Sequence, residues 1–589
     1  MSLVRLLLSR VLNALIPLAI ASSLYLYLYP IFQGCAFPLP TSQNEHPSSS
    51  PFGTNNPLLY TLSQHLRSQL AADSAAAFRL LVLADPQLEG DSSLPSPEEE
   101  LSARILYYWT LIRRSALESP SPFHPDVFSN LTAAVHTLFV EDVPRALLAA
   151  QKRVDLLGND FYLAHIYRTL HWWTRPTHVT VLGDLIGSQW VTDEEFDQRG
   201  GRYWNRVFRE GERVSDEITI TGSAGYGAGA GAGAGDAPQL EELNATHSVW
   251  ERRIINIAGN HDIGYAGDAS EARIERFERV FGRANWDIRF QYTPPNATAD
   301  SVKPTLHLIN LNTLTLDGPA LSAEVQSNSY AFINDLITHR TYPVEDRTTF
   351  TLLLTHLPLH KKEGICTDGP YFTYFEFDDT DGPNDVPRFK EGGLREQNHL
   401  SDQLSAGGVL QGIFGMSGNT DAAGGGWGRN GLILNGHDHT GCDVVHFVNR
   451  SIVTTAFEKN TGEMSIETEE SPAPSWTWAA KRYNSRRPEE RLDAPSIREV
   501  TLRAMMGEYG GNAGLLSVWF DATPGVNEWQ YEITMCMAGV QHIWWAVHVL
   551  DIVTVLLLLL YTLLPRPSKK PEKQPKRTVP EKGTKDDKK

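Results

Sequence analysis

The chain has 589 residues, 41% hydrophobic and 21% charged, so its bulk is globular rather than disordered, and it is long for a single core. Its net charge is −18, although ten Lys/Arg stand against four Asp/Glu in residues 566–589, so the rest of the chain is more acidic still. This balance excludes a general attraction to nucleic acid, and a total of four cysteines excludes a dense disulfide scaffold.

The first predicted element is an apolar helix at the N-terminus. Residues 11–29 are almost wholly apolar, follow Arg5 and Arg10, and are about long enough to span a bilayer. We interpret residues 1–30 as an uncleaved transmembrane anchor because the apolar run is longer than an ordinary signal-peptide core; a signal peptide cleaved near Ala21 is the alternative. Residues 31–75 are a predicted linker and lead-in, rich in Pro, Ser and Asn.

Short apolar runs then predict the buried strands of a large domain over residues 76–535. A helical pattern over residues 143–173 separates two of them, which favours an α/β layer fold. A Gly/Ala-rich stretch over residues 222–237 cannot contribute to a core and is a predicted surface insertion. The predicted strands are Phe78–Ala84, His178–Gly183, Ile254–Ala258, Leu306–Leu311, Phe350–Thr355 and Leu432–Asn435.

A second apolar run over residues 538–564 predicts a C-terminal transmembrane helix, followed by a basic tail over residues 565–589. By the positive-inside rule, both termini face the cytosol and the domain between them is lumenal. His548 and Asp551 interrupt the apolar run; they are either functional or paired with the first helix. Four Asn-x-Ser/Thr triplets in the lumenal part are compatible with a glycoprotein, at Asn130, Asn244, Asn296 and Asn449.

Polar motifs follow five of the predicted strands. Each alone is compatible with an ordinary turn, but ligands tend to lie at the carboxyl ends of strands in α/β sheets, so all five in order predict a metal site. The motifs are Asp85-Pro86-Gln87, Gly183-Asp184, Gly259-Asn260-His261-Asp262, Thr355-His356 and Gly436-His437-Asp438-His439.

Together these motifs resemble the calcineurin-like metallophosphoesterase superfamily over roughly residues 78–457. The resemblance implies a two-sheet β-sandwich flanked by helices, with two divalent metals at the strand ends. It implies a first metal held by Asp85, Gln87, Asp184 and His439, and a second held by Asp184, Asn260, His356 and His437. It also places His261 as the catalytic acid, with Asp262 either orienting the His261 ring or capping the local turn.

One departure from the superfamily pattern concerns Gln87, where a histidine is usual. An amide oxygen is a harder ligand than imidazole, so the exchange favours Mn²⁺ over Zn²⁺.

The Asp-Pro-Gln motif, the longer Gly-Asn-His-Asp-Ile-Gly and Gly-His-Asp-His-Thr-Gly-Cys-Asp stretches and Arg276–Phe281 together resemble a narrower branch. This branch is the membrane-bound phosphodiesterases that remodel glycosylphosphatidylinositol (GPI) anchors, which include the yeast cell-division-cycle and Ted proteins and their animal counterpart. The resemblance implies removal of ethanolamine phosphate from a mannose, GPI-anchored proteins or GPI glycolipid as substrate, and residence in the endoplasmic reticulum or early Golgi membrane. The alternatives are a lumenal metallophosphatase for another phosphate ester and a cargo-sorting adaptor for GPI proteins.

The cysteines allow two bridges. Cys366 follows His356 by ten residues and Cys442 follows His439 by three, so both should lie near the rim of the site. We expect a disulfide between them, with two free thiols as the alternative. Cys35 and Cys536 each lie beside a predicted span and form a second candidate pair. Residues 397–399 either line the substrate cleft or form a plain loop.

Overall fold

Two sheets packed face to face form the centre of the computed structural model. The structure describes residues 3–40, 65, 76–90, 94–118, 125–219, 240–243, 247–294, 303–340, 343–377, 386–450, 476–484 and 493–565. The predicted insertion 222–237, Asn244, Asn296 and the basic tail beyond residue 565 lie outside these described residues.

Sixteen strands are present in this part of the chain. In chain order they are β1 Phe78–Leu83, β2 His178–Val181, β3 Glu212–Arg213, β4 Leu240–Glu242, β5 Arg253–Asn256, β6 Trp286–Gln291, β7 Thr305–Asn310, β8 Thr349–Leu354, β9 Phe372–Tyr374, β10 Leu394–Gln397, β11 Asn430–Asn435, β12 Cys442–Asn449, β13 Thr477–Arg482, β14 Ser496–Thr501, β15 Asn512–Asp521 and β16 Glu528–Met537. The first sheet has the order β16-β15-β1-β2-β5-β3, and the second has β13-β12-β14-β11-β8-β7-β6-β4. Strands β9 and β10 form a separate small ribbon.

Helices lie between and beyond these strands. The α-helices in chain order are α1 Leu3–Phe32, α2 Leu101–Glu118, α3 Pro125–Thr137, α4 Val143–Thr174, α5 Asp193–Arg202, α6 His247–Trp250, α7 Asn260–Ile263, α8 Glu271–Phe281, α9 Ala323–Thr338 and α10 Gln541–Leu563. Wider π-helical turns are Leu138–Asp142, Tyr203–Val207 and Leu404–Ile413, and short 3₁₀ turns are Ala423–Gly426 and Gly507–Tyr509.

The centre of each sheet is parallel. In the first sheet β1, β2 and β5 run in one direction, and in the second β7, β8, β11 and β14 do. Carboxyl ends of parallel strands share one edge of a sheet, so the loops after these strands meet. The predicted α/β fold with two multi-stranded sheets flanked by helices is confirmed, and the six predicted strands and the helix over residues 143–173 agree with it to within two residues. The strands β12 to β16 and the helices over residues 101–137 were not predicted.

The hydrophobic core lies between the sheets. Alternate side chains of β1, at Phe78, Leu80 and Val82, belong to one buried cluster with side chains from the second sheet. Phe290 on β6 is fully buried in this cluster, and its ring centroid lies 5.1 Å from that of Trp250. Strand alternation thus directs one face of each sheet inward.

The terminal helices α1 and α10 are the two helices among the described residues that are long and apolar enough to cross a membrane. Residues 1–26 and 543–589 form one compact unit. Within it, Ser23 donates a hydrogen bond to Asp551 (2.8 Å), and Arg5 donates to the carbonyl of Leu564 (2.8 Å). Asp551 therefore pairs with the first helix. Of the two alternatives predicted for this residue, a functional role or pairing with the first helix, the contact matches the second.

Residues 27–542 form the larger unit, which holds both sheets. A disulfide joins Cys35 to Cys536 within it. This bond ties the segment that follows α1 to the segment that precedes α10.

We expect Phe290→Ala to lower the free energy of unfolding by about 3–5 kcal/mol, because it leaves a cavity between the two sheets. Chemical denaturation of the full chain in detergent measures this. Phe377→Ala is the matched control: its ring is 64% exposed, and the expected change is within about 0.5 kcal/mol. Equal effects of the two substitutions would contradict the assigned core.

Candidate metal centre

Five loops, each directly after a strand, bring the predicted polar side chains to one place. Asp85 follows β1, Asp184 follows β2 and Asn260 follows β5, all from the first sheet. His356 follows β8 and His437 follows β11, from the second sheet. The centre is therefore built where the parallel edges of both sheets meet.

Backbone strain is concentrated at this centre. Of the six non-glycine residues with positive φ in the described part of the chain, four belong to the predicted ligand set: Asp85 (51°), Gln87 (41°), Asp184 (51°) and His437 (69°). Such conformations cost energy and persist where the surrounding structure enforces them. Gly259 allows the loops to approach, since a Cβ there would lie 2.0 Å from the backbone nitrogen of Asp184.

In one half of the centre, three side-chain atoms with lone pairs point towards one another. The Nδ1–H of His356 donates to the carbonyl of Leu182 (2.8 Å), and the Nε2–H of His437 donates to the carbonyl of Gln397 (3.1 Å). A carbonyl can only accept, so these bonds fix both tautomers and leave His356 Nε2 and His437 Nδ1 as lone-pair donors to a metal. Both nitrogens point at Asn260 Oδ1, at 2.9 and 3.0 Å. Three lone pairs converging in this way are stabilised by a cation.

The other half of the centre shares Asp184. Ligand atoms of Asp85, Asp184 and His439 lie within 4.8 Å of one another, and so do those of Asp184, His356 and His437. The Gln87 amide lies 3.0 Å from both Asp184 Oδ2 and His439 Nε2. If the Gln87 side-chain amide is rotated by 180°, its oxygen takes the position of its nitrogen. The oxygen is the atom that can bind a metal. Asp184 is thus the side chain common to two adjoining ligand sets.

The carboxylates of the centre have opposite pKa shifts. Burial and the negative charge of Asp184 raise the pKa of Asp85, whose Oδ2 is buried and accepts no hydrogen bond within the described residues. Burial also acts to raise the pKa of Asp184, but the adjacent imidazoles of His356 and His261 outweigh it, and the pKa of Asp184 is lowered. An orphaned buried oxygen beside a second carboxylate fits a divalent cation, which removes the repulsion between them.

The histidines of the centre are held in their neutral form. Burial lowers the pKa of His437 to about 3, with a further contribution from His356. Burial likewise lowers the pKa of His356 and of His439. Neutral imidazole is the metal-binding form, so the residues present fit the divalent metals that the motifs imply.

Asp262 is hydrogen-bonded to backbone groups of two loops. Its buried carboxylate accepts N–H groups from Leu185 (2.9 Å), Ile186 (3.0 Å) and Gly259 (2.8 Å). These backbone donors occupy both oxygens, so Asp262 caps the turn and ties the loop after β2 to the loop after β5, the second of the two interpretations of this residue.

His261 lies at the mouth of the centre. Its backbone N–H donates to Asp184 Oδ1 (2.9 Å), and its ring Nε2 lies 3.8 Å from Asp184 Oδ2. The side chain is 37% exposed, whereas the ligands Asp85, Asp184 and His356 are buried. It can therefore reach a bound substrate while its backbone stays fixed to the centre.

A cavity of about 790 Å³ opens over His261, Asn260 and His437. Its further walls carry aromatic, amide and charged side chains, which the sequence analysis did not identify apart from Asn398 in the 397–399 stretch. The aromatic side chains are Trp190, Tyr265, Tyr371 and Phe375; the others include Gln189, Glu363, Arg395, Glu396 and Asn398. A mixed aromatic and polar lining of this size suits an organic substrate rather than a bare ion.

A disulfide joins Cys366 to Cys442. Cys366 precedes cavity-lining residues 369–371, and Cys442 begins β12, directly after the His437–His439 motif. The bond therefore anchors one wall of the cavity to the loop that bears two predicted ligands.

A buried ionic cluster, which no sequence motif indicated, lies beneath the centre. The carboxylate of Glu499 on β14 accepts from Lys361 Nζ (2.9 Å), Asn435 Nδ2 (2.6 Å) and the N–H of Leu359 (2.7 Å), and it lies 2.7 Å from His446 Nε2. Leu359 follows the His356 loop and Asn435 precedes the His437 loop. Glu499 therefore connects the two loops of the second sheet that carry ligands.

The two described glycosylation candidates lie away from the centre. Asn130 is on α3, where its amide donates to Ser115 of α2 (2.8 Å), and Asn449 is exposed at the end of β12.

We expect Asp184→Asn to abolish binding of both metals, since this carboxylate belongs to both ligand sets, whereas Asn260→Ala should lose one. Metal analysis of purified protein by mass spectrometry measures the stoichiometry. Asp197→Asn, at an exposed carboxylate, is the control and should retain two ions. Loss of one ion only in Asp184→Asn would rule out a shared ligand.

We expect Glu499→Gln to lower the free energy of unfolding by about 3–5 kcal/mol at pH 7, because it leaves the buried Lys361 ammonium without its counter-ion. Burial acts to raise the pKa of Glu499, but Lys361 and His446 outweigh it and lower that pKa below its usual value. The stabilisation is thus present above the unfolded-state pKa of about 4.3 and is lost as the pH falls below it.

Denaturation of wild type and variant at several pH values tests this. The difference between them should shrink below about pH 4.3, the unfolded-state pKa of glutamate. Glu396→Gln, at an exposed glutamate, serves as control with little change at any pH. A difference that stays constant with pH would refute the ionic role of Glu499.

No family model matches the chain. Protein TED1 of Saccharomyces cerevisiae is 32% identical over 429 residues, which cover 68% of this chain and 77% of that protein. An uncharacterized protein of Schizosaccharomyces pombe is 25% identical over 439 residues, covering 70% and 82% of the two chains. Metallophosphoesterase 1 of Cricetulus griseus is 22% identical over 304 residues, covering 50% and 57%.

Proposed function

The chain belongs to the metallophosphoesterase family that includes Protein TED1, and on that basis we propose that it is a phosphodiesterase that removes ethanolamine phosphate from a mannose of GPI anchors. Membership makes the chain a phosphoesterase hydrolase. The finer assignment to GPI rests on the motif resemblance described above. Its consequence would be remodelling of the anchor and export of GPI-anchored proteins.

The observation that carries the hydrolase proposal is the pair of adjoining ligand sets that share Asp184. We propose Asp85, Gln87, Asp184 and His439 as ligands of one divalent metal, and Asp184, Asn260, His356 and His437 as ligands of the other. When bound, two such metals supply Lewis-acid activation of water and neutralise charge on the phosphoryl group. The oxygen-rich first set is the reason to propose Mn²⁺.

The chain's own residues supply orientation and proton transfer. His261 is half-exposed in the cavity and fixed through its backbone N–H, so its ring can protonate the leaving sugar hydroxyl. Asp262 holds the loops in register through backbone donors alone. Protonation by His261 removes the negative charge that develops on the leaving group. A water molecule would perform this step less efficiently.

The cavity supports a substrate with a sugar attached to the phosphate. Aromatic side chains line it at Trp190, Tyr371 and Phe375, and polar groups at Gln189 and Asn398 offer hydrogen bonds. Apolar faces combined with a few convergent polar groups are the usual way in which proteins orient organic ligands.

The cellular setting of the proposal is the secretory pathway. We propose that α1 and α10 span the membrane of the endoplasmic reticulum or early Golgi, that both termini are cytosolic, and that a hydrolase domain over residues 76–535 is lumenal. The two disulfides support an oxidising compartment.

We expect His261→Ala to retain both metals and to lose about 10²- to 10⁴-fold in turnover, because the leaving group then lacks its acid. The assay is mass spectrometry of GPI glycans from cells that lack the gene, complemented with wild type or with the variant. Wild type should remove the ethanolamine phosphate that accumulates, whereas the variant should leave it in place.

His171→Ala, at a histidine remote from the centre on α4, serves as control and should complement fully. If GPI glycans are unchanged by loss of the gene while the enzyme hydrolyses other phosphodiesters, the substrate is another ester. If His261→Ala or a metal-ligand variant restores cargo export, the chain acts as an adaptor instead.

A further inference from the structure

The helices α2, α3 and α4 expose an unusual amount of apolar surface. Six large apolar side chains in residues 101–148 are between 62% and 67% exposed: Leu106, Trp109, Phe128, Phe139, Leu147 and Leu148. Soluble domains rarely expose large contiguous apolar patches, and such patches mark interaction sites. We call residues 101–118 and 125–161, with α2, α3, the π-helical turn Leu138–Asp142 and the first part of α4, the apolar lobe.

The exposed residues follow helical periodicity. On α3 and the turn that follows it, Phe128, Leu131, Val135 and Phe139 recur at intervals of three or four residues and all are exposed. This spacing places them on one stripe along the helix. Asn130, a glycosylation candidate, faces α2 rather than this stripe.

The same pattern occurs on α4. Val154, Leu157 and Phe161 recur at intervals of three and four residues and are exposed, and Leu147 precedes Val154 by two turns. The apolar stripe of α4 therefore runs from the start of the helix to its middle, where the helix begins to contact the ends of the terminal helices.

The lobe is held together by polar contacts rather than by its apolar stripes. The buried carboxylate of Asp142 accepts from Tyr108 Oη (2.8 Å) and from Arg104 Nε (3.3 Å). These bonds join α2 to the π-helical turn. The exposed apolar side chains are thus not needed to close the lobe and remain available for a partner.

The second half of α4 touches the segments that enter the terminal helices. Trp173 Nε1 donates to the carbonyl of Tyr27 (2.9 Å), near the end of α1. Tyr162 Oη donates to the carbonyl of Gly539 (3.2 Å), and Gln541 Nε2 donates to Asn159 Oδ1 (2.5 Å), where α10 begins. Phe161 therefore lies beside residues that adjoin both candidate membrane spans.

From this continuity we propose that the apolar lobe docks on the lipid bilayer in which α1 and α10 are anchored, with its exposed stripes in the headgroup and upper acyl region. The proposal rests on the proposed membrane anchoring. Helices with apolar and aromatic residues on one side and polar residues on the other lie in the membrane interface in this way. Trp109 is an interfacial type of residue, and the exposed Arg113 lies one turn beyond it on α2.

Depth-dependent quenching tests the proposal directly. All four cysteines are paired, so a cysteine introduced by Phe128→Cys can be labelled alone with an NBD fluorophore. The control is Ala522→Cys in the turn between β15 and β16, at the opposite end of β16 from α10 and about 30 Å along that strand from it. The full chain is placed in phosphatidylcholine nanodiscs that contain lipid with a doxyl group on carbon 5 of an acyl chain.

We expect about five-fold or greater quenching at position 128 relative to position 522, since nitroxide quenching requires proximity to the acyl chains and an interfacial stripe lies at that depth. Equal quenching at the two positions overturns the proposal. A blue-shifted but unquenched label at position 128 also overturns the proposal. If each disc then holds two chains, the stripe is covered by a second copy of the chain; if it holds one, the stripe is covered by another protein. A chain that does not insert into discs overturns the membrane anchoring as well.

The functional consequence is measured with two substrates. Phe128→Asp with Leu147→Asp should reduce kcat/KM about five-fold or more for a GPI substrate embedded in phosphatidylcholine vesicles and leave hydrolysis of soluble bis(p-nitrophenyl) phosphate unchanged. Val249→Asp with Val386→Asp, at exposed valines outside the lobe, is the matched control and should alter neither rate.

Equal loss on both substrates in the lobe variant would mean that the substitutions act on the fold. Failure of the wild type itself to hydrolyse the GPI substrate would refute the proposed function alone, because the quenching result does not depend on turnover.

Discussion

The structure depends on one buried carboxylate, that of Asp184. It lies where the parallel edges of the two sheets meet: the backbone N–H of His261, from the first sheet, donates to it, and His356 Nε2, from the second, lies 3.4 Å from its Oδ1. A charge in this position is costly unless it is paired. The positive φ values around the centre and the lack of a side chain at Gly259 both follow from the need to bring five loops within reach of it.

Two further buried carboxylates stabilise this arrangement without contacting substrate. Asp262 binds backbone N–H groups of the first sheet's loops, and Glu499 binds groups beside the second sheet's loops. Charge-assisted hydrogen bonds in a low-dielectric interior are strong and directional. Each sheet therefore has its own internal clamp, and the shared ligand Asp184 connects the two. The residues with strained backbone conformations form the rigid base of the site, and the half-exposed His261 lies at its open side.

The proposed position of the domain at a membrane rests on more than its two candidate spans. A disulfide joins the segments next to those spans, and α4 contacts both segments through its second half. We propose the apolar lobe on the same helix as a further point of contact with the membrane. For the proposed glycolipid substrate, such a contact would limit which phosphate reaches the cavity.

Local patterns in the chain were sufficient for the central strands and for the polar side chains that meet at their ends. An apolar run predicts a buried strand, and an Asp, Asn or His directly after it predicts a ligand at the end of that strand. Both inferences are possible because burial and metal binding each require particular residue types. The contact of Asp262 with a distant loop and the role of Glu499 could not be predicted in this way. Asp262 accepts from Leu185 and Ile186, far away in the chain, and Glu499 stands in a strand that bears no motif. Their partners are set by which loops become neighbours, and this is a property of the packed sheets. The apolar lobe shows the same division: intervals of three and four residues indicate an amphipathic helix, but identical spacing serves a protein core and a membrane surface equally well. Only the packing of the whole chain decides which apolar stripes remain uncovered, because burial is a relation between segments and not a property of any one of them.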